Sequence, residues 1–312
     1  MVRDPVPPTR LKVYLAFAAI YLIWGSTYFF IREALDGFPP FMLGGLRFLV
    51  AALLMFAWCL VTGQSIRPGK DLRNAAITGI LLCFVGNGAV VWVEQSIPSS
   101  VVAIVIAVAP LSFILLDKPQ WRVNFRSFPT LLGVVAGFAG VLLLFSEKIA
   151  AQWAATEVTP EFSAMFILLL GIIGWPAGSI YAKYHPASIP NLVNSGWQMF
   201  IGALCFLLAS TARGEWSVVE WATIPMNAWL SLLYLILFGS IIGFSAYVWL
   251  LQVRPATQVS TYAYVNPVVA VLLGVFVGQE VIGWRELAGL VVILGGVLLI
   301  NLAKYRLPGR AS

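Results

Sequence analysis

AVVWVEQSIPSSVVAIVIAVAP (residues 89–110) and AYVWLLQVRPATQVSTYAYVNP (residues 246–267) share a skeleton of rare residues at one offset. Trp92 falls on Trp249, Gln95 on Gln252, Pro98 on Pro255 and Pro110 on Pro267, each 157 positions apart. Apolar helices match one another at Leu, Val and Gly by composition alone, but tryptophan and proline are too sparse for that. The same offset carries Gly86 to Gly243. Upstream, an offset of 151 brings Trp24 to Trp175, Arg32 to Lys183, Pro39 to Pro190 and Gly45 to Gly196. The change of offset places an insertion between the seventh and eighth apolar runs. Downstream, an offset of 156 pairs Gly133 with Gly289, Gly140 with Gly296, and residues 141–143 with 297–299. The chain is an internal duplication.

What is duplicated follows from composition. Of 312 residues, 60% are hydrophobic and 10% charged, with a mean hydropathy of +0.91, which excludes an ordinary soluble domain. Apolar runs cover 13–31, 41–61, 74–93, 95–116, 127–146, 162–182, 191–211, 227–251, 255–279 and 287–303, and Arg47 is the one charge inside the second. A membrane helix needs about 20 apolar residues, so these runs predict ten spans and leave no room for a sizeable extramembrane domain. They are continuous rather than alternating, so the spans are helical and not β-strands. The expected fold is an all-α integral membrane protein of ten transmembrane helices. Its expected parts are an N-terminal tail over 1–10, a first five-helix repeat over 11–147, a second over 160–303 and a C-terminal tail over 304–312. Five is odd, so the second copy must cross the membrane in the opposite sense to the first. Inverted repeats of this kind build secondary transporters, because each half can adopt the conformation of the other.

Nineteen Lys and Arg stand against 13 Asp and Glu, a net charge of +6. Fourteen of the basic residues fall on the side of the tails, four on the other, and Arg47 lies in the membrane. By the positive-inside rule both termini are expected in the cytoplasm, and the excess reads as topology rather than as nucleic-acid binding. The first run continues into Trp24, Tyr28 and Phe29 instead of a small-residue cleavage site, so it is read as a retained helix and not a signal peptide. Cys59, Cys83 and Cys205 all lie inside apolar runs; three buried cysteines suggest neither a disulfide framework nor a metal cluster.

IWGSTYFFIREA (23–34), PPFMLGGLRFLVAALL (39–54) and YAYVNPVVAVLLG (262–274), set in the doubled five-helix unit, resemble the drug/metabolite transporter superfamily. More narrowly the chain resembles an EamA-type permease over nearly its whole length, closest to the bacterial YedA-like permeases and more distantly like the amino acid exporters. The resemblance implies ten helices, a central substrate cavity and export of small metabolites or amino acids across the cell inner membrane. One departure is visible. The second repeat ends its fourth helix on Gly278-Gln279-Glu280, where the first has Asp117, Lys118 and Pro119, so the two loops are expected to pack differently and gating to depart from strict symmetry.

Arg47 is the ionised side chain deep in a span. A charge there is costly unless it faces the bundle interior, a partner or water, so it reads either as a carboxylate clamp or as a side chain that snorkels outward; its repeat mate is Gln198. Among the aromatic residues, Trp92 and Trp249 lie near helix ends and fit an interfacial belt. Trp24 and Trp175 are mid-span and paired, and with Tyr28 and Tyr247 they fit cavity walls. Asn87 and Asn266 need hydrogen-bond partners, from another helix or from a ligand. The expected substrate-binding set is therefore Trp24, Tyr28, Arg47, Asn87, Trp175, Tyr247 and Asn266. Pro110 and Pro267 remove a backbone donor near the middle of both fourth helices and are the expected hinges. The glycines at 133, 137, 140, 289, 295 and 296 are expected in helix contacts.

His185 is the one histidine and is assigned no role. Neither His-Glu-x-x-His nor a Walker A sequence occurs, so neither a metalloprotease nor direct ATP drive is expected, and the chain is read as no enzyme with no cofactor or metal. No Asp or Glu lies deep in a run, so a buried carboxylate relay is not expected. The reading is a secondary transporter exporting a small amphiphilic metabolite, with an amino acid or derivative as the leading class, by alternating access. The alternatives are a multidrug or cationic compound exporter, and a passive uniporter or channel. Its expected partners are a small-molecule substrate and the lipid bilayer, with no nucleic acid, and a homodimer is left open.

Overall fold

The computed structural model describes residues 9–154, 159–254 and 256–305, and among them every regular element is helical. The helices are α1 (Arg10–Ala34), α2 (Pro40–Val61), α3 (Gly69–Val93), α4 (Ser99–Leu116), α5 (Phe128–Ala154), α6 (Pro160–Tyr184), α7 (Asn191–Ala212), α8 (Met226–Val253), α9 (Tyr262–Phe276) and α10 (Trp284–Tyr305). The chain is an integral membrane protein: eight of these are long and apolar enough to cross a bilayer, and α9 is a shorter apolar helix. Prolines set several starts. Pro39, Pro98 and Pro190 stand at the N-caps of α2, α4 and α7, where a missing N–H removes no helical bond. Pro255, the mate of Pro98, lies outside the described residues.

Two boundaries differ from the sequence reading. The fourth run starts at Gln95, but its helix starts at Ser99, with Pro98 at the N-cap, where its fixed φ and missing N–H suit a helix start. The ninth run covers 25 residues, whereas α9 has 15, with a separate turn at Ala256–Val259 before it.

Helix mates cross one another antiparallel, as an inverted duplication requires. At one end of α2, the rings of Phe56 and Trp197 on α7 lie 5.3 Å apart. At the other, Glu215, just beyond α7, accepts from the backbone N–H groups of Phe41 and Met42 at 3.3 and 2.8 Å. That carboxylate neutralises the positive start of α2, and it sits in the loop where the sequence offset changes. In α5 and α10, Gly140 lies against Ile293, Gly289 against Leu144, and Gly296 against the carbonyl of Gly133. Gly295 is an exception to the expected packing glycines, since it faces open space. The remaining contacts exchange between halves: α1 packs on α8 and α9, and α6 packs on α3 and α4. Large apolar side chains such as Trp58, Val135, Leu142 and Val291 point outward, as a lipid-facing surface needs.

The middle of each third helix is wound with the wider π-helical turn, over Gly79–Asn87 in α3 and Leu235–Phe244 in α8. At an offset of 157 these stretches coincide almost residue for residue. π-Turns are rare and gather at functional sites.

The α3–α7 contact is set by backbone approach. A Cβ on Gly79 would stand 2.3 Å from the Gln198 carbonyl oxygen, which a side-chain rotation cannot relieve. Gly79→Ala is therefore expected to cost about 1–3 kcal/mol, read as a lower apparent melting temperature in detergent, while Gly295→Ala leaves it unchanged. Equal melting of both variants would contradict this contact.

Candidate functional site

Helices α1, α2, α3, α4, α6, α8 and α9 surround a cavity of about 70 Å³ at the centre of the bundle. Two tryptophans build its walls, and each occupies space that a glycine of the other repeat leaves. A Cβ on Gly243 would lie 2.5 Å from Trp24 Nε1, and one on Gly86 would lie 2.9 Å from the Trp175 ring. The four residues are two pairs of repeat mates, so the same Trp-on-Gly contact occurs twice. The indoles then meet edge to face, with centroids 5.3 Å apart at 87°.

Hydrogen bonds hold these rings. Trp24 Nε1 donates to the Gly239 carbonyl at 3.1 Å, within the π-wound part of α8. Trp175 Nε1 donates to the Tyr247 hydroxyl at 3.2 Å. The Ser179 hydroxyl donates to the Trp175 carbonyl at 2.8 Å, so the Tyr247 hydroxyl is the donor in its 2.6 Å bond to Ser179. Tyr262 stands edge to face against Trp24 at 5.4 Å.

Of the expected site residues, Trp24, Tyr28, Arg47, Asn87, Trp175 and Asn266 line the cavity. Tyr247 stands behind the wall, fully buried. The polar groups differ in how free they are. Asn87 Nδ2 donates to the Leu82 carbonyl at 3.3 Å. The Asn266 amide, its nitrogen turned toward α1, reaches the Tyr21 and Ile20 carbonyls at 3.1 and 3.3 Å and joins α9 to α1. Arg47 is 4% exposed; Nε donates to Ser240 at 2.8 Å, the guanidinium lies 4.9 Å from the Phe48 ring, and Nη1 has no hydrogen-bond partner. It does not snorkel.

Other lining residues escaped the sequence reading. Gly239 and Phe244 belong to the lining; Gly239 does so through the π-turn, which no apolar periodicity reveals. Tyr262, one of the aromatic residues that could line a cavity but outside the expected set, lines it too. Glu94 is a correction. It ends α3 and so looks like an interfacial residue, yet it is 0% exposed and neither carboxyl oxygen has a hydrogen-bond partner. The chain does bury a carboxyl.

Pro110 and Pro267 are not equivalently placed. α4 breaks at Ala107–Val108, directly before the turn that holds Pro110. Pro267 lies inside the continuous α9, and the break falls earlier, at Ser260–Thr261. Trp92 and Trp249 are half-buried, each beneath a cation, Arg213 at 4.4 Å and Lys12 at 4.8 Å. His185 stacks on Tyr181 at 4.1 Å, away from the cavity.

Polar contacts join the helices at both ends of the bundle. Toward the end where α1 begins, a vestibule of about 890 Å³ is lined by Thr78, Lys183, Pro190, Asn194, Leu251 and Gln252 among others. On α6, Trp175 lines the cavity and Lys183 the vestibule; Ser179 lies between them, so the Trp175–Tyr247–Ser179 cluster separates the two. Asn191 and Gln252 exchange side-chain hydrogen bonds across the vestibule's rim. At the far end, Arg32 Nη1 donates to the Glu94 carbonyl at 2.6 Å. There too Glu280 accepts from the backbone N–H and hydroxyl groups of Ser99 and Ser100. The loop after α4 differs, as its sequence suggests: Asp117 takes the Tyr184 hydroxyl at 2.7 Å and Lys183 at 3.6 Å.

Comparison with known proteins gives this arrangement a family. The model of the EamA-like transporter family matches residues 11–146 and 162–302. The chain is 37% identical over 305 residues to the uncharacterized inner membrane transporter YedA of Escherichia coli K12, covering 96% of this chain and 94% of that one. It is 26% identical over 314 residues to the probable amino-acid metabolite efflux pump of Salmonella typhimurium, covering 96% and 97%. A solved crystal structure aligns with a TM-score of 0.66 at 20% identity, over 96% of this chain and all of that one.

If the glycines exist to seat the indoles, Gly243→Ala must displace Trp24 and break its bond to the Gly239 carbonyl. Gly243→Ala and Gly86→Ala are each expected to lower substrate exchange in proteoliposomes at least tenfold (about 1.4 kcal/mol) with normal membrane insertion. Exchange at the wild-type rate would show that the contacts do not shape the site.

Proposed function

Because the chain belongs to the EamA-like transporter family, and is a membrane transporter rather than an enzyme, we propose that it exports a small amphiphilic carboxylate by alternating access, with an amino acid or derivative as the leading class. The observation that carries this reading is Arg47: a buried guanidinium lining the cavity, with one nitrogen left without a partner. Leaving a charged donor unsatisfied inside a protein is expensive, and a ligand carboxylate is the group whose geometry a guanidinium fork matches best. The indoles and Tyr28 supply apolar walls for the rest of such a ligand.

The cation disfavours the multidrug alternative, since a positively charged ligand would have to sit beside Arg47 in a dry site. The cavity as it stands is far below the 300–1,000 Å³ of an ordinary ligand pocket. A ligand of that class therefore needs the walls to move apart, and the Trp175–Tyr247–Ser179 cluster between cavity and vestibule is the expected gate. In the cell both termini face the cytoplasm of a multi-pass inner membrane protein, which turns the large vestibule inward. The name of the Salmonella relative supports export of amino-acid metabolites.

Counterflow in proteoliposomes preloaded with unlabelled amino acids, tested with a labelled panel, decides the matter. Saturable exchange of one class is expected, and flux without any preloaded partner would indicate a channel or uniporter. Arg47→Ala is expected to raise the apparent KM for an amino acid at least tenfold, yet leave the weak competition by its carboxamide unchanged. Equal loss for acid and amide would remove Arg47 as the carboxylate clamp. Trp175→Ala should impair exchange without lowering membrane insertion.

A further inference from the structure

Glu94 is built into a place where a carboxylate has no reason to be. It follows Val93 at the end of α3, one turn beyond Val90, which lines the cavity. It is wholly shielded from solvent, and both carboxyl oxygens lack hydrogen-bond partners. Dry, unbonded carboxylates are among the costliest arrangements a protein can hold, and such a group normally keeps its proton instead.

The charged and titratable groups around it come from three directions. Arg32 and Tyr28 face it from α1, Arg47 from α2, and Glu280 from the segment between α9 and α10. None satisfies the carboxyl: Arg32 uses Nη1 on the backbone carbonyls of Glu94 and Gln95, Arg47 uses Nε on Ser240, and Glu280 is occupied by Ser99 and Ser100. Burial, and after it the negative Glu280, push the Glu94 carboxyl well above the ordinary carboxylate range, against the opposing pull of Arg32 and Arg47.

Two buried groups therefore interact electrostatically near one end of the cavity, a carboxyl that is neutral while protonated and a guanidinium with a nitrogen that has no hydrogen-bond partner. Their charges are coupled. With the cavity empty, loss of the Glu94 proton is eased by Arg47, whose positive charge the new carboxylate balances. With a ligand carboxylate on Arg47, that balance is already taken, and an ionised Glu94 would face a second negative charge in the same dry space.

We propose that Glu94 is a proton-binding site linked to the cavity, so that a ligand carboxylate at Arg47 and a proton at Glu94 are taken up together and released together. The step is a simple protonation, carboxylate plus proton to carboxylic acid, with the proton drawn from the solvent on the side where the cavity opens. The inference rests on the carboxylate reading of Arg47 and adds the ion that moves with the substrate: one proton leaves with each exported carboxylate, so export on these terms is driven by the substrate's own outward gradient and not by the proton gradient.

The sign of the linkage follows. A group whose pKa rises on ligand binding makes binding weaken as pH rises through its unliganded value, by up to tenfold per pH unit for one fully coupled proton. Binding of L-phenylalanine, used as the probe, to purified protein across a pH series is expected to show that decline in wild type and in Glu94→Asp, and none in Glu94→Gln. A pH-independent wild type that binds the probe would overturn the proposal while leaving Arg47 as the clamp. A second measurement needs no ligand: a pH-difference infrared spectrum should contain a protonated-carboxyl band that Glu94→Gln removes. Absence of that difference would overturn the proposal even if phenylalanine is no substrate, and its presence would support the site independently of the substrate reading.

Discussion

Each mid-span indole in this transporter is seated on a glycine from the opposite repeat, and most of what is distinctive about the centre of the molecule depends on those two contacts. Trp24 lies over Gly243 and Trp175 over Gly86. A side chain larger than hydrogen at either glycine would occupy the place of the ring. The glycines sit in π-wound stretches of α3 and α8, where the wider turn alters which backbone groups face the cavity. Trp24 takes up one of them, the Gly239 carbonyl. The repeats are thus joined by interlocking, and the cavity is the space around the interlock.

That arrangement also explains how a guanidinium is tolerated in an apolar bundle. Arg47 enters the cavity from α2 and is held by Ser240, itself in the π-wound stretch of α8. One nitrogen is left over. Fully satisfied, Arg47 would be a structural strut; part-satisfied, it is the group that the proposed ligand carboxylate would meet. The contacts at the two ends of the bundle also differ. One is a hydrogen-bonded aromatic cluster, the other a cluster of charged groups and serines, so the two ends are chemically unlike.

The fold was legible because its decisive evidence lies in rare residues. Tryptophans and prolines exposed the duplication, uncharged runs gave the spans, and an odd number of helices per copy required inversion. The antiparallel crossings of α2 with α7 and of α5 with α10 are that inversion in three dimensions. The candidate cavity was legible where a residue was unusual for its surroundings, as with Arg47, Asn87 and the paired indoles. It was not legible where the backbone decides. Gly239 looks like any apolar-helix glycine until the π-turn directs it inward. Glu94 resembles an interfacial acid because sequence places it at the end of a run, while burial comes from α1, α2 and the segment carrying Glu280 closing over it. The shared proline register at 110 and 267 concealed unequal helix breaks, since a break depends on the packing before the proline as well as on its missing donor.

Alternating access, as proposed, opens the cavity in turn toward the two ends of the bundle, and a pair of distances tests it most directly. Spin labels at positions 190 and 252 span the larger vestibule, and labels at their repeat mates, positions 39 and 95, span the opposite depression. In a variant without native cysteines, reconstituted and saturated with a transported amino acid, one distance is expected to lengthen as the other shortens. Two distances that stay fixed during exchange, or that lengthen together, would contradict alternating access about this cavity.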